Sequence, residues 1–196
     1  MNKGNDYNVL EKAGLPVPIY DVFDDASIVS SSQKKRLKSV VDKILSTGSG
    51  YVGLRTEPKH NVSAMGNYPH IMPLQSADAV IEAMRRVCKD NPQSSWWFLV
   101  NEAFEEHLWS AVVMLTENQL RPGGPRLVGE VNATDNLPLR DAMGQSDHCI
   151  SIEAWHSQDA SWLRSAIARS GLLDTWLEVS AVRSKGSVRR VFWGIR

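Results

Sequence analysis

The fold prediction starts from the stretch WWFLVNEAFEEHLWSAVVML, residues 96–115. Two apolar runs, Trp96–Val100 and Leu108–Leu115, flank an acidic link at Asn101–His107. Runs rich in aromatic and β-branched residues are typical of strands, so we interpret the two runs as successive strands of one sheet. Arg126–Val131 follows a turn that contains Pro and Gly, and we expect it to return as a third strand of an antiparallel meander.

Helical patterns and a closing hairpin surround this predicted sheet. Apolar residues recur at helical spacing within Ser31–Leu45, and Ser76 is placed as the N-cap of a helix that runs to Cys88. The other predicted elements are helices at Asp6–Ala13 and Ser161–Arg169, a strand at Tyr51–Arg55, a polar loop at Thr56–Pro69, and a hairpin of Thr175–Val182 with Val188–Trp193. Helices mixed with largely antiparallel strands predict the α+β class.

Composition limits the kinds of function that are expected. The 196 residues carry Lys+Arg 22 and Asp+Glu 22, so the chain lacks the net positive field with which many proteins attract nucleic acid. Two cysteines, Cys88 and Cys149, are too few for a disulfide framework. No apolar run approaches the ~20 residues of a membrane span, and the N-terminus lacks the apolar segment of a secretory signal. We therefore expect one cytoplasmic domain, with neither membrane nor nucleic acid as a partner.

Several short motifs resemble one known family, in the same order along the chain. They are KGNDYNVLEKAGLPVP at 3–18, GLRTE at 53–57, SAMGNY at 63–68, WFLVNEAF at 97–104, DTWLE at 174–178 and VFWGIR at 191–196. Together they resemble the ATP-binding domain of the phosphoenolpyruvate synthase and pyruvate phosphate dikinase family. The resemblance implies a single α+β, ATP-grasp-like domain of two small lobes, about 1–92 and about 93–196, with mixed or antiparallel sheets and flanking helices. It also implies ATP and Mg²⁺ as ligands.

The resemblance assigns roles at the phosphates of ATP. The nucleotide carries about four negative charges, which cations and hydrogen-bond donors must neutralise. Lys3 would act as a mobile charge near the α- and β-phosphates, and Arg55, at a strand end, would bridge two phosphate oxygens with its forked guanidinium. The loop 61–68, which contains Gly66, would close over the phosphates with backbone N–H groups. Arg196 would face the terminal phosphate.

The resemblance also predicts where the base and the metal bind. Adenine would lie in an apolar slit walled by Phe98, Val100 and Met114. Its edge would be hydrogen-bonded by the backbone after Val100, with Glu102 near the base or ribose. Glu178, flanked by apolar residues on a predicted strand, is the candidate Mg²⁺ ligand, because a carboxylate in that position needs a reason to be held in place.

Each of these assignments has a simpler alternative. In the alternative interpretation, the apolar residues fill a core and strand alternation points Glu178 at solvent. The lysine and the arginines are solvated surface or terminal groups, and the loop is a surface connector. The sequence alone leaves both interpretations open.

The sequence departs from the family pattern at positions that bear on catalysis. Thr56-Glu57 stands where the family has Ser-Ser, and Gly194 stands where it has Gln. None of the five histidines lies in the Thr-Ser-His context of the family's phosphohistidine domain, so the acceptor is expected to be a separate phosphohistidine protein or a small molecule. The leading hypothesis is Mg²⁺-ATP-dependent phosphotransfer to that acceptor. The alternative is a degenerate ATP-grasp-like binding or adaptor protein without catalysis.

Overall fold

A computed structural model describes residues 3–28, 30–59, 70–104, 106–117, 125–132, 149–152, 154–155 and 158–196. Within these ranges the helices are α1 (Lys3–Lys12), α2 (Ser31–Thr47), α3 (Ala77–Asp90) and α4 (Gln158–Ser170), with a 3₁₀ turn at Asp25–Ile28. The strands are β1 (Tyr20–Asp24), β2 (Tyr51–Pro58), β3 (His70–Leu74), β4 (Trp96–Ala103), β5 (Glu106–Thr116), β6 (Arg126–Asn132), β7 (Cys149–Ser151), β8 (Leu177–Ser184) and β9 (Ser187–Ile195). None of the described helices is both long enough and apolar enough to cross a lipid bilayer. The predicted α+β class is confirmed.

The chain forms two compact units. The first contains Met1–Gly4 and Pro18–Phe104, and the second contains Asn5–Val17 and Glu105–Arg196. The sheet of the first unit has the strand order β1-β4-β2-β3, and the sheet of the second has the order β7-β6-β5-β8-β9. The single-domain interpretation and its lobe bounds remain predictions.

The two apolar runs Trp96–Val100 and Leu108–Leu115 belong to different sheets. β4 lies between β1 and β2 in the first sheet, whereas β5 lies between β6 and β8 in the second. The prediction that they are successive strands of one sheet is therefore wrong. β4 continues to Ala103 and β5 begins at Glu106, so the predicted acidic link is mostly strand. An apolar pattern identifies a strand but not its partner, because pairing depends on residues distant in sequence.

In the first unit, helices α2 and α3 cover one face of the sheet. The core between helices and strands contains Leu37, Val41, Ile44, Val80, Met84, Phe23, Leu54, Phe98 and Val100. α3 begins as predicted, because the Ser76 hydroxyl accepts a hydrogen bond from the Ala79 N–H at 3.1 Å. Strand alternation places Arg55, Leu99 and Asn101 on the opposite face.

In the second unit, α4 covers one face of the sheet. Asp159 of α4 accepts hydrogen bonds from Trp109 Nε1 at 2.9 Å and from Arg190 Nε at 2.5 Å, and Trp162 packs on Phe192 with ring centroids 5.9 Å apart. Val179 is in register with Phe192 and therefore shares the face that α4 covers, so its chain neighbour Glu178 lies on the other face of the sheet.

The closing hairpin of β8 and β9 is confirmed. Its two turn residues, Lys185 and Gly186, have φ of 46° and 79°, which is the conformation of a tight turn that matches strand twist. β9 is an edge strand, and the Phe192 N–H donates to the Pro16 carbonyl at 2.8 Å. This contact protects part of the edge from pairing with another chain.

Candidate functional site

Each sheet therefore has one face that helices cover and one face that carries polar residues. We call Arg55, Glu57, Trp97, Leu99 and Asn101 the first polar face, because they lie on the side of the first sheet away from α2 and α3. The second polar face is Ser110, Glu178, Ser180, Gly194 and Arg196, on the side of the second sheet away from α4. Four predicted site residues can be located against these faces: Arg55, Glu178 and Arg196 lie on them, and Lys3 contacts one of them.

Arg55 lies within a strand rather than at its end. It is in register with Leu99 on one side and His70 on the other, and β2 continues for three more residues to Pro58. Its Nε is buried and has no hydrogen-bond partner among the described residues. A buried donor without a partner costs on the order of 1–3 kcal/mol, more when it is charged, and an anionic ligand on this face would remove that cost.

Asn101 is a candidate site residue that the sequence analysis missed. It lies in register with Gly53 and Tyr20 and is 2% exposed. Its Nδ2 donates to the Glu102 carbonyl at 2.6 Å, while its Oδ1 has no hydrogen-bond partner among the described residues. The sequence contains a signal for this residue, because Asn101 is a polar residue within an apolar strand. It lies two positions from Leu99 and is therefore on the same face as Arg55.

Lys3 and Glu57 are joined at the start of α1. The backbone N–H of Lys3 donates to Glu57 Oε1 at 3.0 Å. Because the first N–H groups of a helix lack partners within it, a carboxylate there caps the helix and interacts favourably with its dipole. Glu57, which departs from the family pattern, thus has a structural role and places Lys3 beside the first polar face.

A second cation of this region, Lys59, is already neutralised. Its Nζ lies 2.7 Å from Asp25 and 3.6 Å from Asp24, and 4.9 Å from the ring centroid of Trp97. The hydrogen bond to Asp25 raises the pKa of Lys59. Burial works to raise the pKa of Asp25, but the hydrogen bond and charge of Lys59 outweigh it and lower that pKa. Arg55 is thus better suited than Lys59 to meet a phosphate.

Val100 and Glu102 lie on the helix-covered side of the first sheet. Val100 is fully buried in the core, and its neighbours in register are Leu54 and Asp21. Glu102 is also fully buried, and its Oε2 accepts from the Ile19 N–H at 3.2 Å. Both residues lie on this side because side chains alternate between the two faces of a strand, and Val100 and Glu102 are two and four positions from the buried Phe98.

This placement gives no support to the predicted contacts at the base. The side chains of Phe98 and Val100 fill the core of the first unit, on the side of the sheet opposite the first polar face. The backbone after Val100 is also in use, because the Glu102 N–H donates to the Ile19 carbonyl at 2.7 Å. The assignments of Val100 and Glu102 to the nucleotide remain predictions without support from this geometry. Gly66 and the loop 61–68 lie outside the described residues.

The second polar face brings two predicted residues together. Arg196 Nε donates to Glu178 Oε1 at 2.6 Å, and the side chains are 40% and 18% exposed. Glu178 is in register with Val112 on one side and Gly194 on the other, so neither strand places a polar side chain directly beside it. Close by, the Ser110 and Ser180 hydroxyls are 2.8 Å apart and buried. The polar groups of this face are paired with one another.

The described residues around Glu178 do not form a cluster of protein carboxylates. Glu178 is the only acidic residue in β8 or β9, and its Oε1 accepts from a guanidinium. Glu130 lies on the same face but two strands away, about 10 Å at ordinary strand spacing. Among the described residues, no three His, Cys, Asp or Glu side chains form a group that could hold a metal. The assignment of Mg²⁺ to Glu178 remains a prediction.

Comparison with known proteins was informative at the level of fold. The sequence matches no protein-family model and no curated protein. A solved structure of D-alanyl-alanine synthetase A from Vibrio cholerae O1 biovar eltor str. N16961 is similar over 100% of this chain and 54% of its own, with 10% identity and a TM-score of 0.53. An ADP complex of N5-carboxyaminoimidazole ribonucleotide synthetase is similar over 100% of this chain and 44% of its own, with 17% identity and a TM-score of 0.53.

These two proteins are ATP-grasp ligases, and this chain spans about half the length of each. At such low identity the likeness concerns the fold alone. Neither protein is a dikinase, so kinship with the phosphoenolpyruvate synthase family rests on the sequence motifs. The predicted fold is confirmed: this chain has an ATP-grasp-like fold.

Proposed function

We propose that this chain binds ATP. The observation that carries the proposal is the first polar face, where a charged donor of Arg55 and an acceptor of Asn101 are buried without partners among the described residues. A nucleotide offers both kinds of partner, since its phosphates accept hydrogen bonds and its ribose and amino groups donate them. The ATP-grasp-like fold supports the same ligand, because one of the two similar structures contains ADP.

Charge supports a phosphate at this face in particular. The guanidinium of Arg55 carries a positive charge and can bond two phosphate oxygens at once. Lys3, beside the face, would add a second positive charge. Charge-assisted hydrogen bonds are about twice as strong as neutral ones, so these two cations would dominate the affinity.

Binding of ATP is compatible with two functions. The first is phosphoryl transfer to a separate phosphohistidine protein or small molecule, which the sequence motifs imply and which a cytoplasmic location would suit. The second is nucleotide binding without turnover, as in an adaptor. One observation favours the second: the candidate metal ligand, Glu178, is held by Arg196 rather than placed among other carboxylates.

Titration calorimetry of the purified chain with ATP and with a non-hydrolysable analogue tests the proposal. We expect saturable binding of both, and ATP at about 100 times its Kd should raise the free energy of unfolding by about 2.7 kcal/mol. If neither heat nor stabilisation is observed, the proposal is wrong. If ATP binds, release of ADP, or of AMP and phosphate, in the presence of an acceptor would favour phosphoryl transfer. Binding without release of these products would favour the adaptor function.

A further inference from the structure

Gly53 lies inside a strand at a position whose backbone does not require glycine. It is the third residue of β2 and, unlike Gly50 just before the strand, it does not have a positive φ. Glycine within a strand stabilises the folded state less than alanine does, because it loses more conformational freedom on folding. Such a glycine often marks a place where a ligand or another backbone segment approaches the strand closely. Gly53 thus provides room rather than a special backbone conformation.

This room lies on the first polar face, within the first unit. Val52 and Leu54, the chain neighbours of Gly53, are in the core, so alternation places Gly53 on the opposite face, with Arg55 two residues further along β2. On one side Gly53 is in register with Asn101, and on the other side the register with β3 shifts between Val52 and Leu54. Bulges are over-represented next to active sites. We call this place, bounded by Arg55 and Asn101, the Gly53 gap.

Asn101 contributes a hydrogen-bond acceptor beside the Gly53 gap. Its Nδ2 donates to the Glu102 carbonyl at 2.6 Å, and because a carbonyl only accepts, this bond fixes which end of the amide is the nitrogen. The atom left without a partner among the described residues is therefore Oδ1, in a residue that is 2% exposed. A phosphate oxygen cannot satisfy this acceptor, whereas a hydroxyl or an amino group can.

Arg55 contributes the complementary group, a charged donor. Its Nε is buried without a partner among the described residues, and Arg55 is in register with Leu99, two residues before Asn101. Diagonal neighbours of this kind on paired strands are about 7–8 Å apart. In a nucleotide, one compact sugar ring separates a phosphate from the ribose hydroxyls, whereas the amino group of adenine lies beyond the base. The ribose is therefore the part of ATP that matches an acceptor so close to the arginine.

We propose that the ribose of the nucleotide lies in the Gly53 gap, where Asn101 Oδ1 accepts a hydrogen bond from one of its two hydroxyls while Arg55 binds a phosphate. This inference rests on the proposed binding of ATP. It names the ligand class more narrowly, because a site that bonds a hydroxyl discriminates strongly against an analogue that lacks it. The chain thus selects ribonucleotides over deoxyribonucleotides. Asn101 is the specificity-determining residue, and Gly53 admits the sugar because it has no side chain.

Titration calorimetry of the full chain with ATP, 2′-deoxyATP, 3′-deoxyATP and inosine triphosphate tests the inference. One of the two deoxy nucleotides should bind the wild type about tenfold more weakly than ATP, because the buried Asn101 acceptor then stays unpaired. Inosine triphosphate keeps the ribose but lacks the amino group of adenine, so it should bind like ATP. In Asn101→Leu, ATP and that deoxy nucleotide should bind with affinities that agree within about threefold.

Asn91→Leu is the matched control for Asn101→Leu. Asn91 also donates from its Nδ2 to a backbone carbonyl, that of Val87 at 3.1 Å, but it lies at the end of α3. This variant should keep the affinity of the wild type for ATP and its preference for the ribonucleotide.

A second variant separates a ligand from protein packing as the reason for Gly53. The strand conformation of Gly53 suits alanine, so Gly53→Ala should melt at or above wild type if the gap is kept for a ligand. Its affinity for ATP should nevertheless fall by about tenfold, because the added methyl group occupies the place of the ribose. A melting temperature well below wild type, together with unchanged affinity, would assign the gap to packing and overturn the inference.

Three results of the titrations would also contradict the inference. If both deoxy nucleotides bind the wild type as tightly as ATP does, the ribose assignment is wrong and the proposed function stands. If inosine triphosphate alone binds more weakly, the acceptor of Asn101 serves the base instead of the ribose. If the wild type binds no ATP, the proposed function is overturned together with the inference.

Discussion

The two polar faces are built alike but have opposite chemistry. Both lie on a sheet whose other face is covered by helix, and each carries an arginine, Arg55 within β2 and Arg196 directly after β9. On the first, Arg55 Nε and Asn101 Oδ1 have no hydrogen-bond partner among the described residues. On the second, Arg196 is bonded to Glu178, and Ser110 is bonded to Ser180. Under the proposed function the first face receives the ligand, whereas the named polar groups of the second face already bond one another.

Because of this difference, the two faces should contribute differently to ligand affinity and to the free energy of unfolding. Unpaired buried groups lower the stability of the protein without ligand and favour its complex, because the ligand supplies their partners. Paired groups contribute to the folded state whether or not a ligand is present. Substitutions on the first face should therefore change affinity more than stability, and substitutions of paired groups should do the reverse. The following predictions test that contrast, beginning with the helix-covered side as the reference.

The largest effect is expected from the helix-covered side of β4. Phe98 is fully buried, so Phe98→Ala should lower the free energy of unfolding by about 3–5 kcal/mol through lost burial and the cavity left behind. Its neighbour Trp97 lies on the first polar face and is 38% exposed, so Trp97→Ala should cost much less. Urea denaturation of both variants gives the comparison. Equal losses would mean that the faces are not assigned correctly.

The serine pair of the second polar face should behave as a coupled unit. Ser110→Ala removes one partner and leaves the Ser180 hydroxyl buried without its bond, which should lower the free energy of unfolding by about 1–3 kcal/mol. Replacing both serines by alanine should cost less than the sum of the single changes. A double-mutant cycle from chemical denaturation measures this coupling. Strict additivity would contradict the pairing.

Asn101 should show the opposite behaviour. Asn101→Leu removes the amide that bonds the Glu102 carbonyl but also removes an acceptor that lacks a partner, so stability should change little. Affinity for ATP should fall by about tenfold, which corresponds to about 1.4 kcal/mol. Calorimetric titration and thermal melts of the same sample check both parts. Unchanged affinity would remove Asn101 from the candidate site.

The smallest effect is expected at His107, which stacks on Trp193 with ring centroids 5.8 Å apart. Burial lowers the pKa of His107, so the folded state binds its proton less readily than the unfolded state does. Stability from this residue is present above the unfolded pKa, near 6.5, and is lost as pH falls below it. His107→Gln should flatten the dependence of unfolding free energy on pH between about 7 and 5. An unchanged slope would contradict the burial of the neutral ring.

The sequence predicted the local elements well. The apolar spacing of α2, the Ser76 cap of α3 and the Ser-Lys-Gly-Ser turn of the closing hairpin all depend on residues near one another in the chain, and the structure has each of them. Resemblance to a known family supplied the ATP-grasp-like fold, which local patterns do not encode.

Long-range arrangement was beyond the sequence pattern. β4 and β5 are adjacent in the chain and alike in composition, yet they belong to different sheets, because strand pairing is decided by distant partners. The resemblance implied that Glu102 lies near the base or ribose, but in the structure its carboxylate accepts from the Ile19 N–H on the buried side. Strand alternation from Val100 would have indicated this, and would also have drawn attention to Asn101. The functional assignments of Lys3, Arg55, Glu178 and Arg196 stay predictions.

The most direct test of the account is the affinity for ATP of Arg55→Ala, measured by titration calorimetry beside Arg85→Ala. Arg85 is the matched control, because it belongs to the same unit and is 54% exposed on α3, next to Glu82. We predict that Arg55→Ala loses about tenfold to a hundredfold in affinity with little change in melting temperature, and that Arg85→Ala binds like wild type. Wild-type affinity in Arg55→Ala would contradict a nucleotide site on the first polar face.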